Sequence, residues 1–235
     1  MKTVIVIILM TVSYFIGNIS PATLLARAKG KDIKKEGSGN AGTTNVLRVL
    51  GAKAAVITLI IDVAKGFIAT IIGFYIAYSI SKSIFDPIFT PPEIYANTAM
   101  AWCGLAVFIG HIWPIMFRFK GGKGVATALG VILAIDYRVA LICLGIFAII
   151  VIASRMVSLG SICAAAAFPV VYVIMLVFNV EHLLTNVSMY QILPRVLPLI
   201  IMVIILITKH RDNIERIIKG EERKLIFKPE EPPVK

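Results

Sequence analysis

Charged residues are scarce in this sequence. Only 16% of its 235 residues are Asp, Glu, Lys or Arg, whereas 58% are hydrophobic and the mean hydropathy is +0.89. Soluble domains have about 25% charged and about 45–50% apolar residues. The deficit excludes an ordinary soluble domain and predicts an all-α integral membrane protein. Residues 1–227 are predicted to form one membrane domain, and the Pro-rich residues 228–235 a flexible tail.

Acidic residues are scarcer still, 13 against 24 basic ones, which gives a formal net charge of +11. Such a charge can indicate nucleic-acid binding, but most of the basic residues flank apolar segments, where they are typical of membrane topology and of phosphate or lipid contacts. We therefore expect membrane lipid, and no nucleic acid, around this protein. Cys103, Cys143 and Cys163 lie inside apolar runs without metal-ligand spacing, so they indicate no metal site.

Seven apolar segments are candidate membrane spans. The fourth and fifth are short, because a helix needs about 20 residues to cross the hydrocarbon of a bilayer. The polar residues Asp136, Tyr137 and Arg138 between them predict a turn at an interface. No small-residue cleavage site follows the first segment, which predicts a retained span rather than a signal peptide. The segments are residues 3–26, 54–80, 94–117, 125–135, 139–153, 159–180 and 196–208.

The basic residues favour one topology. With seven crossings, the loops 27–53, 118–123 and 154–158 and the tail 209–235 share one side and carry 19 of the Lys and Arg residues. The other side carries four, namely Lys2, Lys82, Arg138 and Arg195. Because basic loops stay in the cytoplasm, the N-terminus is predicted outside and the C-terminus inside. A six-span alternative would place the basic tail outside.

Residues 110–130 (GHIWPIMFRFKGGKGVATALG) join two apolar runs and carry the most informative loop. Its glycines permit a tight turn that aims backbone N–H groups, two lysines flank them, and a helix follows at once, which together predict an anion site. The loop matches neither GxxxxGK[ST] nor GxGxxG after a strand, so a small phosphate is favoured over a nucleotide. The candidate residues are His111, Lys120, Gly121, Gly122, Lys123, Gly124 and Thr127.

A second polar stretch, residues 37–48 (GSGNAGTTNVLR), ends in an arginine at the entry to the second span. A guanidinium there can hold a phosphate through two parallel hydrogen bonds. The alternative is a polar loop that caps a helix, with Thr44 or Asn45 as the N-cap. The candidate residues are Gly37, Ser38, Gly39, Asn40, Thr44, Asn45 and Arg48.

Two further stretches belong to the same predicted side. In residues 154–161, Ser158 is predicted to cap the sixth helix, while Ser161 is the better candidate for substrate contact. Residues 209–221 contain a histidine, an asparagine, an arginine and a glutamate on a continuing helix, and the candidates are His210, Asn213, Arg216 and Glu221. An amphipathic interfacial helix would explain the isoleucines of this stretch, but not His210 with Asn213.

Asp62 and Lys65 lie three residues apart inside an apolar span. That spacing places them on one helix face, where they can pair. Ionisable groups at membrane depth are functional candidates by default. Here a structural role, in which the pair neutralises itself and braces the site, is favoured.

All four polar stretches fall on one predicted face of the membrane, which indicates a single cytoplasmic site. A transporter for a phosphorylated solute is an alternative, but it would place polar residues near the midplane, in two related halves. A lipid-binding membrane module without chemistry is another, and it leaves His210 with Asn213 unexplained.

Three of the stretches resemble the motifs of bacterial acyl-phosphate:glycerol-3-phosphate acyltransferases, the PlsY type. That family shows GSGNxGxTNxxR, GHxxPxFxxFKGGKGVAT and KHxxNIxRxxxGxE in this order, which correspond here to residues 37–48, 110–127 and 209–221. The resemblance implies a seven-span inner-membrane enzyme with a cytoplasmic active site. It would transfer a fatty acyl group from acyl-phosphate to the 1-hydroxyl of glycerol-3-phosphate, giving lysophosphatidic acid and phosphate.

The resemblance also implies roles for residues. Neither a metal nor another cofactor is expected, and a functional link to the enzyme that makes acyl-phosphate is implied. The loop 121–124 with Lys123 would hold the acyl-phosphate, and the acceptor of the hydroxyl proton is either His210 or a substrate phosphate oxygen. No HxxxxD or GxSxG pattern is present, so an acyl-enzyme has no evident nucleophile. The candidates for the glycerol-3-phosphate contacts are Ser38, Arg48, Lys120, His210 and Asn213.

Overall fold

The computed structural model describes residues 2–84, 91–178 and 189–225. All regular secondary structure in these residues is helical. The predicted tail at 228–235 lies outside the described residues. Helices α1 to α5 are Lys2–Gly17, Pro21–Ala28, Thr43–Leu50, Ala52–Ile84 and Pro92–Ile112. A 3₁₀ turn at Ile115–Phe117 precedes α6 to α10, which are Val125–Ile135, Tyr137–Ser154, Val157–Phe178, Met189–Thr208 and Arg211–Ile218.

The first predicted span is continuously apolar, but it contains two helices. The helix stops after Gly17, and α2 starts at Pro21 with Ser20 as its N-cap, whose side chain accepts a hydrogen bond from the backbone N–H of Thr23 at 3.4 Å. Serine at the N-cap and proline at the first helical position are strong start signals. The predicted span over residues 3–26 is confirmed as the candidate span Thr3–Ala28, and local capping divides it into two helices.

Membrane-spanning helices make up most of the chain. Within the described residues, five helical segments are long and apolar enough to cross a bilayer, and the bent pair formed by Ile192–Thr208 and Arg211–Ile218 supplies a sixth when it is counted as one span. The short helix Val125–Ile135 has the predicted bounds, and at about 1.5 Å per residue it is only about 16 Å long. Many large apolar side chains face outward, as they do on a lipid-exposed surface, for example Ile60, Ile149 and Ile152.

Helices extend into both predicted outer loops, at residues 81–93 and 181–195. The helix α4 continues to Ile84, α5 includes Pro92 and α9 includes Met189 to Arg195. Residues 85–90 and 179–188 lie outside the described part of the chain. Arg195, predicted as a loop residue, lies inside α9 and is buried.

The helices pack around a core that contains Phe108, Val131, Phe168 and Met202. Small residues allow the closest crossings: a Cβ on Gly17 would overlap the carbonyl oxygen of Val107, so α1 and α5 touch backbone to backbone. Such small-residue contacts are typical of membrane helix pairs, which lack a hydrophobic driving force between them.

One end of the bundle collects polar groups from distant parts of the sequence. Tyr14 donates from its hydroxyl to the carbonyl oxygen of Trp113 at 2.9 Å, and the Lys34 ammonium donates to that of Phe117 at 3.2 Å. The backbone N–H of Leu225 donates to the carbonyl oxygen of Arg155 at 2.7 Å. The break after α1, the end of α5 and the junction of α7 with α8 therefore lie at the same end of the molecule, which we call the polar end.

Candidate active site

The glycine-rich loop 118–124 returns the chain to the end of α5 before α6 begins. Arg118 and Phe119 both adopt left-handed backbone conformations, with φ of 56° and 58°. After this reversal the N–H of Gly121 donates to the carbonyl oxygen of Ile112 at 3.0 Å, and that of Gly122 to the carbonyl oxygen of His111 at 3.3 Å. The loop is thus closed against the last carbonyl groups of α5, which have no helical partners of their own.

These hydrogen bonds correct the expectation that the whole glycine backbone faces an anion. The N–H groups of Gly121 and Gly122 are used by α5. The N–H groups without helical partners belong to the first turn of α6, which starts after Gly124. This geometry favours the α6 N-terminus with Lys123, rather than the glycine pair, as the candidate anion-binding end of this element.

Glycine is required at two positions of this loop by close contact. A Cβ on Gly121 would overlap the carbonyl oxygen of His111. A Cβ on Gly122 would overlap the Nε2 atom of His111 and would lie 2.9 Å from the carbonyl oxygen of Ala41. The second contact shows that the loop containing Ala41 lies directly against the glycine-rich loop.

A buried ionic group supports the loop from below. Lys65 and Asp62 form the ion pair that their spacing predicts, with Nζ 2.7 Å from Oδ1. His111 joins them through Nδ1, 3.3 Å from the same Asp62 oxygen and 2.8 Å from Lys65 Nζ. The Lys65 ammonium also donates to the carbonyl oxygen of Ile19 at 2.6 Å, so α4, α5 and the break after α1 meet at one point. All three charged or polar side chains are buried.

The loop 37–42 is organised by Asn45. Its side-chain oxygen accepts from the N–H of Ser38 at 2.7 Å, and its amide donates to the carbonyl oxygens of Ile33 at 3.2 Å and Glu36 at 3.0 Å. The N-cap of α3 is Gly42, without a side-chain cap. Thr44 and Asn45 are therefore not N-caps, since the buried Asn45 satisfies loop groups instead.

A carboxylate connects the remaining stretches. One oxygen of Glu222 accepts from Ser158 Oγ at 2.8 Å and from Asn213 Nδ2 at 2.6 Å, and the other accepts from Arg216 Nε at 2.8 Å. Lys123 donates from Nζ to the oxygen of the Asn213 amide. Three helix ends, those of α6, α8 and α10, thereby share one hydrogen-bonded group. We call it the Glu222 cluster, and its members are Lys123, Ser158, Asn213, Arg216 and Glu222.

Two basic groups border this cluster. Arg48 is exposed, and the charges of Arg223, Glu222 and Arg216 act on its pKa. Partial desolvation lowers this pKa most, and the charge of Arg223 lowers it further. His210 is buried and its Nδ1 is 2.8 Å from the carbonyl oxygen of Leu206. Because a carbonyl only accepts, Nδ1 carries the proton and the neutral ring leaves Nε2 as an acceptor.

Burial sets the protonation states in the cluster. It lowers the pKa of Lys123 from 10.5 to about 8, although the charge of Glu222 opposes this. It lowers the pKa of His210 from 6.5 to about 4, against the hydrogen bond to Leu206. Burial acts to raise the pKa of Glu222, but the hydrogen bonds from Ser158, Asn213 and Arg216 outweigh it and the pKa is lowered. At neutral pH the site therefore holds a charged lysine, a neutral histidine and a carboxylate.

The described residues contain no group of three or more His, Cys, Asp or Glu side chains arranged to hold a metal ion. The arrangement that is present, cations around one carboxylate at a helix N-terminus, is suited to binding phosphate groups.

A model of the family described as "Glycerol-3-phosphate acyltransferase" matches residues 7–220. The chain belongs to the glycerol-3-phosphate acyltransferase family. This match confirms the resemblance to the acyltransferase family that the three motifs indicate.

Relatives match along almost the whole chain. A glycerol-3-phosphate acyltransferase of Geobacter sulfurreducens is 38% identical over 218 residues, covering 93% of this chain and 96% of its own. One of Clostridioides difficile is 36% identical over 225 residues, covering 95% and 97%. The similarity therefore extends beyond the motifs to the complete membrane domain.

Two solved structures have the same fold. Both are crystal structures of PlsY (YgiH), an integral membrane glycerol 3-phosphate acyltransferase, in its glycerol 3-phosphate form and in its lysophosphatidic acid form. The first has a TM-score of 0.74 and 33% identity over 94% of this chain and 96% of that chain. The second has a TM-score of 0.72 and the same identity, and it covers 94% and 95%. This family member is therefore a multi-pass membrane protein.

The family motif also locates Glu222, a residue of the cluster that is not among the candidates predicted from the sequence. The motif ends in GxE, which places its glutamate two residues after Gly220, at Glu222. Glu221 was predicted instead, but the structure places it exposed at the surface and Glu222 at the centre of the cluster. Counting the motif spacing would have found Glu222.

Not all predicted site residues meet at the cluster. Lys120 is exposed, and its charge acts on Lys34. Burial lowers the pKa of Lys34 most, the charges of Arg27 and Lys120 lower it further, and Asp32 opposes them. Ser161 bonds within its own helix, to the carbonyl oxygen of Val157 at 2.8 Å, so of the two serines Ser158 is the one in the cluster. Thr127 is buried inside α6. Ser38, Gly37 and Gly39 are exposed in their loop, where Asn40 and Thr44 are half-buried.

Proposed function

We propose that this protein transfers a fatty acyl group from acyl-phosphate to the 1-hydroxyl of glycerol-3-phosphate, giving lysophosphatidic acid and inorganic phosphate. The observation that carries the proposal is the Glu222 cluster, because it joins the glycine-rich loop to the third motif and places both beside Arg48. The crystal structures of PlsY in glycerol 3-phosphate and lysophosphatidic acid forms support the acceptor and the product.

The charges of the site suit two phosphate groups. Lys123, Arg216 and Arg48 supply three positive charges around the single carboxylate of Glu222. The surplus of two positive charges is available to substrates. We assign the acyl-phosphate to Lys123 and the first turn of α6, and the phosphate of glycerol-3-phosphate to Arg48, whose guanidinium can bind it through two hydrogen bonds.

The donor is assigned as acyl-phosphate because the motif resemblance implies it and because the surplus positive charge suits a second phosphate beside that of glycerol-3-phosphate. The Ser158 hydroxyl donates to Glu222, and His210 bonds to the Leu206 carbonyl, so these two do not form a nucleophile and base pair. Acyl transfer without an acyl-enzyme requires an already activated donor, and an acyl-phosphate carries phosphate as a good leaving group. The task of the protein is then positioning and charge stabilisation.

In the proposed step, the 1-hydroxyl oxygen of glycerol-3-phosphate attacks the acyl carbonyl carbon. A carbon–oxygen bond forms, the bond between that carbon and the phosphate oxygen breaks, and phosphate leaves with the electron pair. The hydroxyl proton goes to a phosphate oxygen of a substrate rather than to His210. Phosphate monoesters have a second pKa of about 6, so their oxygens are stronger bases than an imidazole with a pKa of about 4. His210 then orients the acceptor through Nε2.

We place the site on the cytoplasmic side of a bacterial inner membrane, with seven crossings and the N-terminus outside. Helices α4, α6 and α8 begin at the polar end, and α5, α7 and α9 end there, which supports alternating crossings. The loops at that end carry 19 of the 24 basic residues, which supports a cytoplasmic orientation.

The direct test is a turnover assay with the purified full-length protein in lipid, palmitoyl phosphate and radiolabelled glycerol-3-phosphate. We expect labelled lysophosphatidic acid without coenzyme A and in the presence of a metal chelator. Product formed only from palmitoyl-coenzyme A would overturn the donor assignment. Uptake of label into sealed vesicles without any product would instead support a transporter.

The value of kcat/KM is expected to fall above about pH 8, because Lys123 loses its charge there. The sign follows from its pKa, which burial lowers to about 8: the ammonium that binds phosphate is present below that pH and is lost above it. Lys123→Arg keeps a positive charge throughout, because arginine has a pKa above about 12. A pH profile of initial rates should therefore show the alkaline limb in the wild type and not in Lys123→Arg. An identical limb in both would assign it to another group.

A further inference from the structure

A buried arginine lies far from the active site. Arg195 belongs to α9, thirteen residues before Thr208, and at about 1.5 Å per residue it is about 20 Å from the polar end. It is only 9% exposed, its Nε atom has no hydrogen-bond partner, and no ion pair among the described residues includes it. Arginine is almost never buried without a partner, because an unpaired charge loses its hydration.

Arg195 lines a cavity of about 170 Å³ between α5, the turn after α6, α8 and α9. Asn97, Asp136, Arg138 and Tyr172 form the polar part of its wall. The Asp136 carboxylate already holds Arg138, with Oδ2 2.9 Å from one guanidinium nitrogen and Oδ1 3.1 Å from Nε. The charges of these side chains therefore sum to one surplus positive charge, which belongs to Arg195.

The rest of the wall is apolar and includes Met100, Ile135 and Leu199. The cavity starts where α6 ends, about 16 Å from the glycine-rich loop, whereas the hydrocarbon of a bilayer is about 30 Å thick. It therefore lies in the half of the membrane domain that is remote from the active site. A ligand for this position needs one negative charge and an apolar attachment.

We propose that this cavity, with Arg195 as its anchor, binds the phosphodiester of an anionic phospholipid from the leaflet opposite the active site. A phosphodiester carries one negative charge, matches the fork of a guanidinium, and accepts hydrogen bonds from groups such as the Asn97 amide and the Tyr172 hydroxyl. The attached glycerol and acyl carbons can lie along the apolar wall. Buried ionisable groups between membrane helices commonly mark such ligand positions.

The proposal is tested by native mass spectrometry of the full-length protein in detergent, with dioleoyl phosphatidylglycerol, dioleoyl phosphatidylcholine or inorganic phosphate added. Arg195→Gln is expected to weaken the binding of phosphatidylglycerol about tenfold, which corresponds to the loss of one charge-assisted hydrogen-bonded contact. Lys82→Gln is the matched control. It removes one positive charge from an exposed residue near the same end of the bundle and should leave the binding unchanged.

Thermal unfolding gives a second measurement that does not depend on catalysis. Without lipid, Arg195→Gln should be at least as stable as the wild type, because it removes an unpaired buried charge. Added phosphatidylglycerol should then stabilise the wild type more than Arg195→Gln, with Arg195→Lys between them, since lysine keeps the charge without the fork.

Equal lipid binding and equal lipid stabilisation in the wild type and Arg195→Gln would overturn the proposal. A loss of stability in lipid-free Arg195→Gln would also count against it, since that result indicates a protein partner for the guanidinium. Arg195-dependent binding of inorganic phosphate without phosphatidylglycerol binding would overturn the assignment to a lipid.

Discussion

Lys123→Ala is expected to lower kcat/KM about 10³-fold or more in the palmitoyl phosphate assay while the protein remains folded. Lys123 lies between the α6 N-terminus and the Asn213 amide, and the proposed role of its ammonium is to stabilise charge on the departing phosphate. Removing one preorganised group of this kind typically costs about 10²–10³ in rate. A lysine also neutralises the bound substrate, which adds a loss in affinity. Initial rates across a range of both substrate concentrations separate the two effects.

Lys120→Ala is the matched control, since it removes the same charge from the same loop three residues earlier. Lys120 is exposed and is not a member of the Glu222 cluster, so we expect less than about a threefold change from weakened electrostatic attraction. Near-wild-type turnover in Lys123→Ala, or a larger loss in Lys120→Ala, would contradict the assignment of Lys123 as the phosphate-binding lysine.

Much of the site was predictable because it departs from its apolar surroundings. Arg48 and Lys123 border hydrophobic runs and Asn213 follows the last span, and polar groups beside membrane spans need a use or a partner. The spacing of Asp62 and Lys65 likewise predicts their pair, which the structure contains. Each of these inferences needs only local sequence and a comparison with the surrounding hydropathy.

The features that the sequence does not predict come from local capping and from contacts between distant segments. Ser20 caps α2 and so divides the first span, which the average hydropathy of that span conceals. The N–H groups of Gly121 and Gly122 are used by α5 carbonyls, which only the folded loop brings near. The sequence predicts Arg195 in a loop, whereas the structure has it inside α9. Its burial depends on side chains from other helices.

Glu222→Ala is expected to lower kcat/KM about 10²-fold and to destabilise the protein, although the side chain is assigned no contact with substrate. Its carboxylate holds Ser158, Asn213 and Arg216, and Asn213 in turn accepts from Lys123. Without it, the cations Lys123 and Arg216 repel each other and the Asn213 amide loses its acceptor. Losing hydrogen bonds to a charged group costs about 1.5–3 kcal/mol. Thermal unfolding and initial rates measure the two effects in the same preparation.

Glu221→Ala makes the same change one residue earlier, at an exposed carboxylate, and should alter neither activity nor stability. Glu222→Gln keeps the shape and the acceptor oxygen but removes the charge, so its activity should lie between those of Glu222→Ala and the wild type. If Glu222 acts by positioning Lys123, its removal also lowers the local negative charge that sustains the ammonium. The alkaline limb of the pH profile should then move to lower pH in Glu222→Gln, whereas a purely structural role would reduce the amount of active protein and leave the limb in place.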